Sequence, residues 1–224
     1  MGIVMKDEGG SFTPCPPGNH IGVCYAIIDL GVQHQDAFVW EGAPVAESDK
    51  PQILIIWEIP AEQVEIDGEM KPAVISGFYN AFFSDRAKLR QHLEAWRGRP
   101  FSEAELMGFD LSNVLGKGCM INVTHTPAGK AKITGIAAMP KGMKAPEPTN
   151  TMIDFSLKNY DQAVFDSISE GIQNIIKRSP EWQQLNQPAQ GFRDAPMESY
   201  RPDSPVTAQD HDTPPDFDDD DIPF

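Results

Sequence analysis

Long apolar runs are missing from this sequence: no stretch approaches the ~18 residues that a membrane-spanning helix requires. The N-terminus also lacks the basic start and apolar core of a secretory signal, so a cytoplasmic protein without membrane contact is expected. Cysteine is scarce. Cys15, Cys24 and Cys119 are odd in number and irregularly spaced, which argues against a disulfide framework. Cys15, His20 and Cys24 have neither the gaps nor the second ligand pair of a structural zinc site, and small buried thiols are the better expectation. Catalytic signatures are absent as well: there is no nucleophile elbow, no phosphate-cradling glycine loop and no His-Glu pair at helical metal spacing. Glu103 and Glu105 read as solvated residues in the first turn of a helix. No enzyme activity, cofactor or metal is therefore expected.

Basic residues are also in short supply, with 18 Lys and Arg against 33 Asp and Glu and a net charge of −15. Such a balance ordinarily counts against a nucleic-acid binder. Its distribution reverses that inference. From residue 180 onward the chain has 11 acids and two arginines, a charge of −9 that leaves −6 for everything before it. Residues 1–144 carry 17 acids and 13 bases, and so mildly acidic a body can still present a basic groove.

What the sequence does contain is a succession of β-branched segments. Residues 1–18 read as a flexible arm with an extended, proline-bearing end. A first strand is expected over residues 20–30, ended or bent by Gly31, and a patternless loop containing Phe38 and Trp40 follows. Strands over residues 52–59 and 72–81 flank an Asp67-Gly68 turn and should form a hairpin. Ser84 and Asp85 read as the cap and first turn of a helix with Leu89, Leu93 and Trp96 on its apolar face and Gly98 as its stop. Short helical turns are expected over residues 102–107 and 111–115. Two more strands, residues 119–126 and 130–138, are joined by the tight turn Pro127-Ala128-Gly129. Strand, loop, strand, strand, helix, strand, strand is the order of a five-stranded OB-fold barrel, so a mainly β fold of that class is expected over residues 19–144. Residues 145–180 read as an extended segment plus an amphipathic helix over 162–178, a face that would suit packing on the barrel or pairing in a homodimer. Residues 181–215 are rich in Gln, Pro, Ser and Asp and read as a disordered linker.

The chain ends on Asp216, Phe217, Asp218, Asp219, Asp220, Asp221, Ile222, Pro223 and Phe224. An acidic run that stops on Ile-Pro-Phe suits docking: the ring can fill an apolar pocket, the terminal carboxylate can meet a cation, and the aspartates can lie over a basic rim. This tip resembles the C-terminal tip of bacterial single-stranded DNA-binding proteins, with one extra aspartate. The resemblance implies recruitment of replication, recombination and repair proteins rather than contact with DNA.

Single-stranded nucleic acid needs cations along a groove and exposed aromatic faces. In an OB barrel these lie on strands two and three and the loops joining strands one to two and four to five. The candidates are Trp40, Trp57 and Phe78 for stacking, and Lys71, Arg86, Lys88, Lys130 and Lys132 for phosphates. Alternation sends Phe78 and Tyr79 to opposite faces, and Phe78, which shares its side with Ser76 and Asn80, is expected outside. Trp57 shares its side with Ile53, Ile55 and Ile59, so core is the stronger reading for it. Trp96 is expected in the helix core. Residues 85–117, with Trp96-Arg97-Gly98-Arg99-Pro100-Phe101 and Gly108-Phe109-Asp110-Leu111 through Leu115-Gly116-Lys117, resemble a family of phage and prophage proteins regarded as single-stranded DNA-binding. Together these readings predict a sequence-independent single-stranded DNA-binding protein of phage replication or recombination. The rivals are an acidic scaffold or DNA mimic and a strand-annealing recombination protein.

Overall fold

The computed structural model describes residues 13–40, 43–66 and 68–186. The acidic tip and nearly all of the expected linker lie outside the described residues. The fold is mainly β. Its strands are β1 (Gly18–Gln35), β2 (Phe38–Trp40), β3 (Ala43–Val45), β4 (Ser48–Ile66), β5 (Glu69–Asn80), β6 (Gly118–His125), β7 (Ala131–Ala137) and β8 (Ile153–Phe155). Helix α1 (Lys88–Arg97) and the short α2 (Glu103–Leu106) lie between β5 and β6, followed by a 3-10 turn at Leu111–Val114. Three further short helices, α3 (Gln162–Ser167), α4 (Glu170–Ile176) and α5 (Pro180–Leu185), follow β8.

The main sheet has six strands in the order β5-β4-β1-β6-β7, with β8 added parallel to β1; β2 and β3 make a separate two-stranded ribbon. Strand β1 runs well past the expected end at Leu30 because two register shifts, at Cys24/Ala26 and Asp29/Gly31, bend it rather than stop it. Its first third, Gly18–Val23, pairs with β6 and its middle, Ala26–Ile28, with β8, while β4 follows it from Val23 to Gln35. Gly31 has φ of 68°, and a Cβ there would lie 2.6 Å from the Ser179 side chain, so only glycine suits the bend. Strand β4 likewise passes through Pro60, where a stop was expected. The proline falls in the irregular stretch between Ile59 and Gln63, where the ladder to β5 is already interrupted and no N–H is missed.

A closed barrel was expected, and the sheet is open: no ladder joins β5 to β7 among the described residues. Helix α1 packs on both of these strands, and its Leu89, Leu93 and Trp96 fill the seam from inside. The helix begins later than Ser84 because residues 84–87 make a turn, Ala87 N donating to Ser84 O at 3.0 Å, and Ala87 offers no side-chain cap. Its end is as expected, with Gly98 at φ 68°.

Apolar residues fill both faces of the sheet. The inner face carries Cys24, Ile27, Ile53, Ile55, Trp57, Tyr79 and Ile121 together with α1. Cys15, expected in a free arm, belongs to this core, and its backbone oxygen lies 2.8 Å from His125 Nε2. The outer face carries Ala26, Ile28, Leu30, Leu54 and Ile56, and it is covered by Phe155, Leu157, Phe165, Ile168 and Ile176. The single helix expected over 162–178 is broken at Ile168, whose ψ of 140° is extended, so that Phe165, Ile168 and Ile176 can all reach the sheet. Trp182, assigned to the linker, stacks on Phe165 with ring centroids 4.3 Å apart, and α5 is anchored by Glu181 accepting from Val32 N at 3.0 Å. The apolar surface expected to serve packing or a homodimer is thus used within the chain.

A buried carboxyl group fastens this cover. Glu58 is 0% exposed and accepts from Thr149 N at 2.8 Å, Asn150 N at 2.8 Å and Asn150 Nδ2 at 2.6 Å. Glu58→Ala strands three donors and is expected to cost about 3 kcal/mol in urea unfolding, with Glu58→Gln costing less because one oxygen still accepts. A loss below about 0.5 kcal/mol for the alanine variant would show that the clasp is dispensable.

Candidate functional site

The outer face left uncovered by the C-terminal helices lies at the end of β4 and β5. Gln52 pairs with Asn80 and Leu54 with Phe78 in the β4–β5 ladder, so Phe78 and Asn80 point outward on the same side. Tyr79 points inward and is 3% exposed, whereas Phe78 is 51% exposed. Phe82, just beyond the strand, is 45% exposed. The two rings, with Asn80, Gln35 and Gln52, line a cavity of about 420 Å³ that continues along Ser84, Arg86 and Lys88 to the start of α1.

The cations of this region fall into two classes. Arg90 pairs with Glu94 at 3.0 Å, Arg97 and Arg99 both pair with Glu105, and Lys71 pairs with Glu69 at 2.9 Å. By contrast, among the described residues no carboxylate lies within ion-pairing distance of Arg86, Lys88, Lys130 or Lys132. Lys88 Nζ sits 5.5 Å from the centre of the Tyr79 ring, within reach of a cation–π contact. Burial and then the like charge of Lys132 hold the Lys88 ammonium below its ordinary pKa. Lys132, on β7, is thus near enough to Lys88, on α1, for their like charges to interact, and an anion close to both would favour their charged forms.

Of the residues expected to contact DNA, Phe78, Arg86 and Lys88 line the cavity, and Lys132 does not line it but acts electrostatically on Lys88. Lys130 is exposed at the β6–β7 turn, and its backbone N donates to Thr126 Oγ1 at 3.2 Å. Trp57 is a correction: it is 0% exposed, its ring centre is 5.7 Å from that of Trp96, and it cannot stack on a base. Lys71 lies away from the cavity: it pairs in register with Val64 near the hairpin end of β5, seven residues from Phe78, and forms an ion pair with Glu69. Trp40 falls in β2, and its side chain lies outside the described residues. Glu105, expected to be solvated, accepts from Arg97, Arg99 and Ser102, and the hydrogen bond from Arg99 leads in holding its carboxyl well below the usual range. Sequence reasoning missed Phe82, Gln35 and Gln52. Phe82 was detectable as an aromatic residue directly after the strand, but nothing in the pattern brings Gln35 beside Asn80.

Cys24 and Cys119 are buried on the inner face, where burial raises the Cys24 thiol to about 12 and Cys119 still further. Neither is poised to act as a nucleophile. Comparison with protein-family models, curated proteins and solved structures returns no significant match.

Beneath the cavity, His92 Nδ1 and the Tyr79 hydroxyl are 2.9 Å apart. Burial first, and the Lys88 charge second, lower the His92 imidazole from 6.5 to about 4. Between those values the unfolded chain binds a proton that the folded chain refuses, so stability falls as pH drops from 6.5 towards 4. His92→Gln keeps a partner for Tyr79 but cannot titrate. Thermal unfolding followed across this window should therefore show a flatter pH profile for the variant, and an unchanged slope would assign the effect to other groups.

Proposed function

We propose that this protein binds single-stranded DNA through the face formed by Phe78, Phe82, Arg86 and Lys88, extended across the seam by Lys132. The observation that carries the reading is the convergence, on one cavity of about 420 Å³ in a strongly acidic chain, of two exposed aromatic rings and two cations with no carboxylate partner among the described residues. Aromatic faces accept bases without reading sequence, and cations neutralise phosphates. The strand order supports an OB-type architecture beneath it. Numbering only the five long strands, it reads three, two, one, four, five, which becomes an OB barrel when strands three and five meet. Here α1 occupies that junction, as the helix between the third and fourth strands does in such barrels. The likeness of residues 85–117 to phage single-stranded DNA-binding proteins points the same way. So does the terminal Asp-rich Ile-Pro-Phe segment, which we assign to recruitment of replication, recombination or repair proteins.

Fluorescence anisotropy with labelled oligo-dT and a matching duplex tests the reading. Binding is expected to favour the single strand and to weaken steeply with salt. Phe78→Ala should weaken it by roughly 5- to 150-fold. Arg86→Glu with Lys88→Glu should reduce affinity and flatten the salt slope by about 1.4, whereas Lys71→Ala should change little. Equal affinity for duplex and single strand, or no binding at low salt, would overturn the proposal in favour of the acidic scaffold reading.

The tip is tested separately. Removing Ile222, Pro223 and Phe224 should abolish capture of replication or recombination enzymes while oligo-dT affinity stays the same or rises. Undiminished capture would remove the docking role.

A further inference from the structure

The floor of the candidate cavity is not sequence-neutral chemistry. Asn80 Oδ1 accepts from Gln35 Nε2 at 3.3 Å and from Gln52 Nε2 at 3.5 Å, which gathers three amide side chains from β1, β4 and β5 at one point. Both lone-pair directions of Asn80 Oδ1 are thereby occupied. Among the described residues, Asn80 Nδ2, the Oε1 atoms of Gln35 and Gln52, and one N–H on each glutamine have no protein partner. None of these atoms is a buried unsatisfied group, so they face the cavity or solvent rather than the core. They sit beside the exposed Phe78, two residues from Asn80 on the same strand face and hence about 7 Å away. A base lying on that ring turns its edge towards the amides.

We infer that this cavity is a base-reading subsite, in which the Gln35–Asn80–Gln52 cluster hydrogen-bonds the edge of one nucleotide and prefers adenine. The inference rests on the single-stranded DNA reading and departs from its simplest form, in which no base is preferred. A solvating surface has no need for three convergent amides. A stacking platform alone would be served by apolar or charged neighbours. A carboxamide offers an acceptor and a donor side by side, and adenine presents the complementary pair, its N6 amino group and N7. The amides held by Asn80 are fixed in direction, so the geometry is set before the base arrives and less side-chain freedom is lost on binding.

The experiment compares two 12-mers, (dT)12 and d(TTA)4, on the full chain, with Asn80→Ala and Gln35→Ala as variants and circular dichroism to verify folding. The wild type should bind d(TTA)4 about 5-fold or more tightly than (dT)12. Each variant should bring the ratio to within about 2-fold while retaining (dT)12 binding, because the Phe78 ring and the cations remain. Equal affinities in the wild type overturn the inference and leave the single-strand reading standing. A preference that survives both substitutions overturns it too, by assigning the selectivity elsewhere. If neither oligomer binds, the single-strand reading fails and this inference fails with it. Should Asn80→Ala disturb β5, Gln35→Ala decides the matter, since Gln35 lies at the end of β1 and outside the β4–β5 ladder.

Discussion

The contact between Glu58 and the backbone of residues 149–150 governs how this molecule uses its sheet. A carboxyl group fully removed from water on a strand of isoleucines is costly unless both oxygens are engaged, and three donors at 2.6–2.8 Å meet that demand. The same contact fixes where the chain crosses the sheet after β7. From that crossing β8 is delivered beside Ala26, Ile27 and Ile28, and α3 to α5 are laid over Leu54 and Ile56. The outer face is thereby divided. Its middle becomes a second apolar core, and the end bearing Phe78, Asn80 and Gln52 is left open.

That division explains the small number of accessible aromatic groups. The large rings of the inner face, Trp57, Tyr79 and Trp96, hold α1 against the sheet. Those of the C-terminal cover, Phe155, Tyr160, Phe165 and Trp182, pack mainly on one another. Phe78 and Phe82 belong to neither cluster. Two exposed phenylalanines beside Arg86 and Lys88 give this face both apolar rings and positive charge, the combination on which the proposed single-strand binding rests.

Much of this was legible in the residues themselves. The Asp67-Gly68 signal located the β4–β5 hairpin, Gly98 located the end of α1, and simple alternation sorted Phe78 from Tyr79. The same alternation favoured the core for Trp57, and its inclusion among stacking residues followed from the OB template rather than from its own neighbours. The failures share a cause: the decisive partners are far apart in sequence. Gly31 reads as either an end or a bend until Ser179 and Glu181 are seen against it. Residues 162–178 read as one helix because the apolar spacing is helical, but the curvature of the sheet requires a break at Ile168. The amphipathic face over 162–178 signalled that a segment could cover the sheet, but nothing in the pattern joined Glu58 to residues 149 and 150. Gln35 and Asn80 are 45 positions apart, and no local pattern could have joined them.

The open seam between β5 and β7 connects the architecture to the proposed chemistry. A hydrogen-bonded barrel would close this junction with backbone groups, leaving side chains to point in or out. Here α1 closes it, and a helix brings its own charges to the join. Lys88 from the helix and Lys132 from β7 consequently lie close enough for their like charges to interact, a smaller effect on Lys88 than its burial. The acids that could have neutralised them are engaged elsewhere, Glu94 with Arg90 and Glu105 with Arg97 and Arg99. Pairing the arginines at the C-terminal end of α1 while leaving the lysine at its start unpaired concentrates positive potential next to Phe78. A body that is acidic overall thereby acquires a short cationic track where the aromatic rings are exposed.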